Sequence, residues 1–161
     1  MNTMLEIRPA KSADAALILD FVRKLAEYER LLHAVVATEA DVVRDLFGQN
    51  PRVFCDLAFW DGAPAGFALW FHNYSTFRGR HGLYLEDLFV EPAHRGRGIG
   101  KALLKHLAAR CEAEGFARLE WQVLDWNAPS IAFYKSLGAV PVDDWTVFRL
   151  TDEALKKLAE Q

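Results

Sequence analysis

Cysteine is scarce in this chain, with only Cys55 and Cys111 among 161 residues. Two thiols supply neither a disulfide framework nor a zinc-ligand set. Cys55 falls in an expected strand and Cys111 in an expected helix, and both are expected to be small buried side chains rather than reactive thiols. The five histidines are scattered, and none pairs with another at ligand spacing; no metal site is expected. Long apolar runs are missing too, and none approaches the ~20 residues that cross a bilayer. Residues 1–9 read as a short strand carrying charges. They lack the basic and apolar regions of a secretory signal. The expected location is therefore the cytoplasm, with no membrane partner. Runs of Lys and Arg are also absent, and the formal net charge is −3. That leaves no electrostatic footprint for nucleic acid. Mild acidity suits a cationic substrate, although many unrelated proteins share it.

What is present is an ordinary globular balance, 52% hydrophobic and 25% charged. Residues 1–161 are enough for one domain with a substantial core, and a single domain is expected. Residues 5–8 alternate and predict a strand, which Pro9 ends. Ser12, Ala13 and Asp14 can cap the helix that follows. Its Leu17, Ile18, Phe21, Val22, Leu25 and Tyr28 form an apolar stripe at period 3.6. After a loop over 30–37, Thr38 is the expected N-cap of a helix through Phe47, closed by Gly48. Residues 53–60 are rich in β-branched and aromatic side chains and predict a strand. Asp61-Gly62 marks a turn into a second strand over 65–74. A third covers 83–90 and is interrupted by the acidic pair Glu86-Asp87. The segment 95–100 opens a helix to about Glu114, ended by Gly115. A strand over 119–123 and a helix over 127–137 follow, the latter closed by Gly138. A late strand is expected over 147–150, and Thr151 caps a last helix with Glu153 in its first turn. The order β-α-α-β-β-β-α-β-α-β-α predicts an α/β (mixed α+β) fold. Its central mixed, mostly antiparallel sheet carries helices on both faces.

The sequence Arg95-Gly96-Arg97-Gly98-Ile99-Gly100-Lys101 sits between a strand and a helix. Glycines let the backbone approach a ligand, and the first N–H groups of a helix attract phosphate. A pyrophosphate ligand is the physical expectation, although the same glycines would suit a flexible turn before an amphipathic helix. A nucleotide P-loop is excluded: Arg95 stands where its first glycine belongs, and Ala102 replaces the Ser or Thr after the lysine. The dinucleotide fingerprint fails as well, because Lys101 occupies its third glycine position.

The remaining spacing, Arg95-x-x-Gly98-x-Gly100, resembles the acetyl-CoA signature of the GNAT N-acetyltransferase superfamily. Two further segments are similar to that superfamily. One is Leu85-Glu86-Asp87-Leu88-Phe89-Val90-Glu91-Pro92. The other runs from Trp126-Asn127-Ala128-Pro129-Ser130 to Phe133-Tyr134-Lys135. With Leu25-Ala26-Glu27-Tyr28-Glu29, they resemble the diamine branch, the spermidine/spermine and thialysine acetyltransferases. The resemblance implies a GNAT-like fold, acetyl-CoA as co-substrate, and backbone amides of residues 95–101 on its pyrophosphate. It implies that the Leu88-Phe89-Val90 backbone, in a strand that is bulged or splayed, binds the acetyl carbonyl and the pantetheine arm. Asn127, Ala128, Pro129 and Ser130 would complete the cofactor contacts.

An amine of pKa near 10 is protonated at neutral pH and cannot attack until a carboxylate takes its proton. Glu86 lies where the branch places such a group and is expected to be general base or ammonium anchor. Acids are disfavoured inside apolar strands, which favours a functional role. Asp87 points to the opposite sheet face if the strand is regular, and a bulge would undo that. Tyr134 is expected to protonate the leaving thiolate, and it shares a helix face with Ser130. Phe133 and Ile131 are expected in the core. Tyr28, Glu29, Glu86, Asp87, Glu120, Trp121 and Gln122 are substrate-side candidates, with Asp143 and Asp144 where the branch closes its amine pocket. The segment between Gly138 and Trp145 looks shorter than in polyamine enzymes, which favours a smaller, thialysine-like amine. A protein or peptide N-acetyltransferase and a non-catalytic acyl-CoA-binding module are the alternatives. The branch also implies a homodimer, for which Trp145, Trp60 and Phe148 are interface candidates.

Overall fold

The computed structural model describes residues 4–161. The part of the expected N-terminal segment that covers residues 1–3 lies outside the described residues. Two compact units make up the chain, one ending at Gln122 and the other beginning at Val123.

In the first unit, β1 (Leu5–Pro9), β2 (Val53–Trp60), β3 (Ala63–Ser75), β4 (Arg80–Val90) and β5 (Leu119–Trp121) form one sheet in that order. The first three pairings are antiparallel and β4–β5 is parallel. Hairpins join β2 to β3 and β3 to β4. The parallel step needs a crossover, which α3 (Ile99–Glu114) provides. The Asp61-Gly62 turn works because both residues adopt positive φ. Thr38 caps α2 (Glu39–Phe47) through a capping box with Asp41. Gly115 ends α3 in the left-handed conformation.

Successive strand residues face opposite sides, so each face has its own core. On one side α1 (Ala15–Tyr28) presents Phe21, whose ring stacks on Phe67 at 5.3 Å and tilts against Phe89 at 6.1 Å. Phe21 and Phe67 are fully buried; each such side chain stabilises by roughly 1.5–3 kcal/mol. On the other side α3 covers Asp56 and Trp70. The Trp70 Nε1 donates to the buried Asp56 carboxylate at 2.9 Å. His106 of α3 approaches the same carboxylate at 3.5 Å, and the Arg110 guanidinium lies 5.0 Å from the Trp70 ring. An aspartate can sit at 2% exposure because the Trp70 indole donates to it.

The second unit holds α4 (Ala128–Ser136) and α5 (Asp152–Ala159). Three expectations for residues beyond β4 are corrected by the structure. The strand expected over 147–150 does not form, because a strand exists only when a neighbour takes its backbone groups. Among the described residues no backbone–backbone hydrogen bond reaches residues 146–150. Likewise β5 stops at Trp121 instead of 123, where its ladder with β4 ends. Ile131 and Phe133, expected in the core, are half-buried.

Candidate active site

Two features of the first unit meet at the end of β4. The first is its bulge. Leu69 pairs with Asp87 and Trp70 with Leu85, so Glu86 has no partner on β3. An unpaired residue re-aims the strand at that point. Asp87 shares the face of Phe89, toward α1, and is half-buried, while Glu86 is exposed. The sequence had to leave their relative direction open, and the bulge decides it.

The carboxylates here influence one another. Burial pushes Asp87 up to about 7, and the charges of Glu86 and Glu29 add to the rise. Glu29, just past the end of α1, is raised by burial and by Glu86. Tyr84 is raised by burial, then by Glu86 and Glu120. Glu120 lies opposite Tyr84 in the β4–β5 ladder and accepts from Asn73 Nδ2 at 3.1 Å. The fold therefore gathers Glu29, Tyr84, Glu86, Asp87 and Glu120 into one negatively charged neighbourhood. Tyr84 and Asn73 were not singled out from sequence. The available signal was parity, since residues 84 and 86 share a face on a regular strand.

The second feature is the loop after β4. Gly96 and Gly98 have φ of 80° and 76°, which side chains with a Cβ rarely adopt. Gly98 is the N-cap of α3, so the amides of Ile99, Gly100 and Lys101 open the helix without intrahelical partners. Open glycine backbone leading into unpartnered amides fits a phosphate-bearing ligand. Gly100 differs: a Cβ there would meet only Val90 Cγ2, at 3.8 Å. Nothing in the fold itself demands a glycine at that position.

Side chains brace this loop. Arg95 Nε donates to the Val90 carbonyl at 2.9 Å, and its guanidinium lies 5.4 Å from the rings of both Tyr28 and Phe89. Tyr28 is thus a platform for Arg95. Arg97 lies 4.9 Å from the Trp60 ring and bonds His94 at 3.1 Å. Trp60 is half-buried rather than exposed, which corrects its place among the interface candidates. Lys24 bridges Glu91 at the end of β4. Leu88 and Val90 are half-buried, while Phe89 pairs with Phe67 on β3 and commits its side chain to the core. Trp121 pairs with Leu85, and Gln122 is exposed just beyond β5.

In the second unit, Asn127 is buried and caps α4, its Oδ1 accepting from Ser130 N at 3.3 Å. Ala128 and Pro129 open that helix, where proline's missing N–H costs nothing. Tyr134 is half-buried beside Phe133, with ring centroids 5.6 Å apart. Among the described residues, no group of three or more His, Cys, Asp or Glu is placed to hold a metal ion. None of the described helices is long and apolar enough to cross a membrane.

The acetyltransferase (GNAT) family pattern matches residues 19–139. A thialysine N-ε-acetyltransferase of Bos taurus is 38% identical, the alignment covering 95% of this chain and 96% of that protein. An L-ornithine N5-acetyltransferase of Arabidopsis thaliana is 31% identical, covering 94% and 86%. Among solved structures, an integron cassette protein from the mobile metagenome of V. cholerae superposes with a TM-score of 0.82. It is 27% identical and covers 99% of this chain and all of that one.

Proposed function

The chain belongs to the acetyltransferase (GNAT) family, and on that premise we propose that it acetylates the side-chain amine of a small, thialysine-like diamino acid. Acetyl-CoA is the acetyl donor of this family and supplies a reactive thioester. The observation that carries the substrate assignment is the acidic neighbourhood of Glu29, Glu86, Asp87 and Glu120 at the β4 bulge. A cationic amine is the ligand such a group of carboxylates attracts. The similarity to thialysine and ornithine acetyltransferases points the same way.

The proposed roles follow from chemistry. Glu86, exposed at the bulge, anchors the incoming ammonium group. Asp87, raised to about 7, is half ionised at neutral pH and is matched to taking the ammonium proton. Glu86 and Asp87 share the base role, directly or through water. The neutral nitrogen then forms a bond to the acetyl carbon, the carbon–sulfur bond breaks as Tyr134 gives its proton to the departing sulfur, and the proton shed by the new amide nitrogen restores Tyr134 through water. Residues 95–101 hold the pyrophosphate through their amides. Leu88, Phe89 and Val90 present backbone to the acetyl and pantetheine groups, and Asn127, Ala128, Pro129 and Ser130 are further proposed cofactor contacts. Tyr28, Glu29, Glu120, Trp121 and Gln122 form the amine side.

Residues 1–161 act as one catalytic domain, a proposal supported by a family match that runs across both units. We also place the protein in the cytoplasm as a homodimer. Two free, buried thiols suit a reducing compartment, and exposed Trp145 and Phe148 suit a dimer contact.

The test is thiol release from acetyl-CoA against thialysine, ornithine, lysine, polyamines and short peptides. Fastest turnover with a diamino acid supports the assignment. Turnover confined to peptides would replace it with a protein N-acetyltransferase. Tight acetyl-CoA binding without turnover on any amine would make the chain an acyl-CoA-binding module.

A further inference from the structure

The Asn73 side chain reaches across a whole strand. Asn73 stands opposite Gly82 in the β3–β4 ladder, and Glu120 stands opposite Tyr84 in the β4–β5 ladder. β4 therefore separates the two, yet Asn73 Nδ2 donates to Glu120 Oε1 at 3.1 Å. Residues paired across a ladder share a sheet face, so the contact passes over Gly82. A Cβ there would run into Asn73 Oδ1 and would also lie 3.1 Å from the Arg118 carbonyl oxygen. Gly82 does not adopt the left-handed conformation of Gly96 and Gly98, so space rather than φ accounts for the glycine.

Holding Oε1 fixes the direction of the other Glu120 oxygen. A glutamate side chain without such a partner distributes over several rotamers. Tyr84 lies between this carboxylate and the one at the bulge: burial raises it, and so do the charges of Glu86 and Glu120. Two residues along β4 and one strand across separate the positions of Glu86 and Glu120, a diagonal of about 8 Å. That spacing suits two ammonium groups joined by a short chain, the reacting one at the bulge and the other at Glu120.

We propose, on the basis of the diamino-acid assignment above, that Asn73 is a positioning residue for substrate selection. Crossing β4 over Gly82, it aims Glu120 at the second, non-reacting ammonium group of the substrate. Asn73 touches neither the reacting atoms nor the amine; it acts through the Glu120 carboxylate.

The experiment measures kcat/KM of the full-length chain by thiol release, for thialysine and for its α-deamino analogue. The analogue keeps the carboxylate and the reacting amine and lacks only the second ammonium. The wild type should prefer thialysine. Asn73→Ala and Gly82→Ala should each cut that preference about tenfold, mostly through the KM for thialysine. The double variant should cut it no further, because both changes break one contact. Glu120→Gln should cut it at least as far, and adding Asn73→Ala to Glu120→Gln should change little more. Thermal unfolding verifies that each variant folds; if Gly82→Ala does not, Asn73→Ala and Glu120→Gln carry the test. Equal losses on both substrates, or a lower Tm with the preference intact, would show that Asn73 only fastens β5 to the sheet, and would overturn the inference. A wild type active on both amines without preference overturns it too, while the acetyltransferase assignment stands. A wild type that turns over no diamino acid fails that assignment itself, before any variant is compared.

Discussion

Asp87 stands opposite Leu69 in the β3–β4 ladder, on the face that packs against α1, while its neighbour Glu86 is skipped by β3 and left exposed at the bulge. One extra residue in β4 thus separates two adjacent carboxylates into different environments. Burial raises Asp87 to about 7 from 3.8, helped by the charges of Glu86 and Glu29.

That rise makes stability depend on pH. Between about pH 4 and 7 the unfolded chain has released the Asp87 proton while the folded chain retains it. Stability contributed at this site therefore falls as pH rises through that window, and stays lower above it. Asp87→Asn should remove the penalty and raise stability at pH 8 by up to about 4 kcal/mol, with little change at pH 4. Urea unfolding at both pH values checks this, and equal shifts at the two would disprove it.

The same group should shape the rate profile. Wild-type kcat/KM for the amine is expected to fall below about pH 7, where Asp87 is protonated. Glu86→Gln removes one of the charges holding Asp87 up. It should move this limb to lower pH while weakening amine binding. A limb that stays in place would separate Glu86 from Asp87.

Gly98 and Gly100 should respond differently to alanine. At Gly98, φ is +76°, so a Cβ strains the backbone by about 1–2 kcal/mol. At Gly100 the nearest atom is 3.8 Å from the added carbon, and alanine favours the helix. Gly100→Ala should therefore keep or raise Tm while increasing the KM for acetyl-CoA about tenfold or more. An unchanged KM would remove the ligand from that helix turn.

Trp70→Phe deletes the indole donor to Asp56 while keeping an aromatic ring. The buried carboxylate then loses its 2.9 Å partner, at a cost of about 1–3 kcal/mol. Chemical denaturation measures it; a change under ~0.5 kcal/mol would mean that His106 alone satisfies Asp56.

Tyr134→Phe removes the proposed proton donor and should lower kcat about tenfold to a hundredfold with acetyl-CoA affinity retained. A thiol leaving group needs that proton least at high pH, so the deficit should shrink there. A loss of affinity with unchanged kcat would assign Tyr134 to binding.

By itself the sequence determined what is local. Thr38 before a 3.6-period stripe, Asp61-Gly62 between β-rich runs and Gly115 after a helix all act over a few residues, and each element formed where its turn chemistry placed it. The glycine segment 95–100 was legible for the same reason, because helix N-terminal amides and positive φ are local properties. Tertiary structure decided whatever depends on a distant partner. Residues 147–150 have strand-forming side chains but no neighbouring strand to take their backbone groups, so the local preference was not realised. The bulge at Glu86 is a matter of register between two strands, invisible along either one. Asp87's protonation and the Asp56–Trp70 contact arise from burial by elements far away in the chain. Charge and burial act through space, and only the folded chain sets those distances.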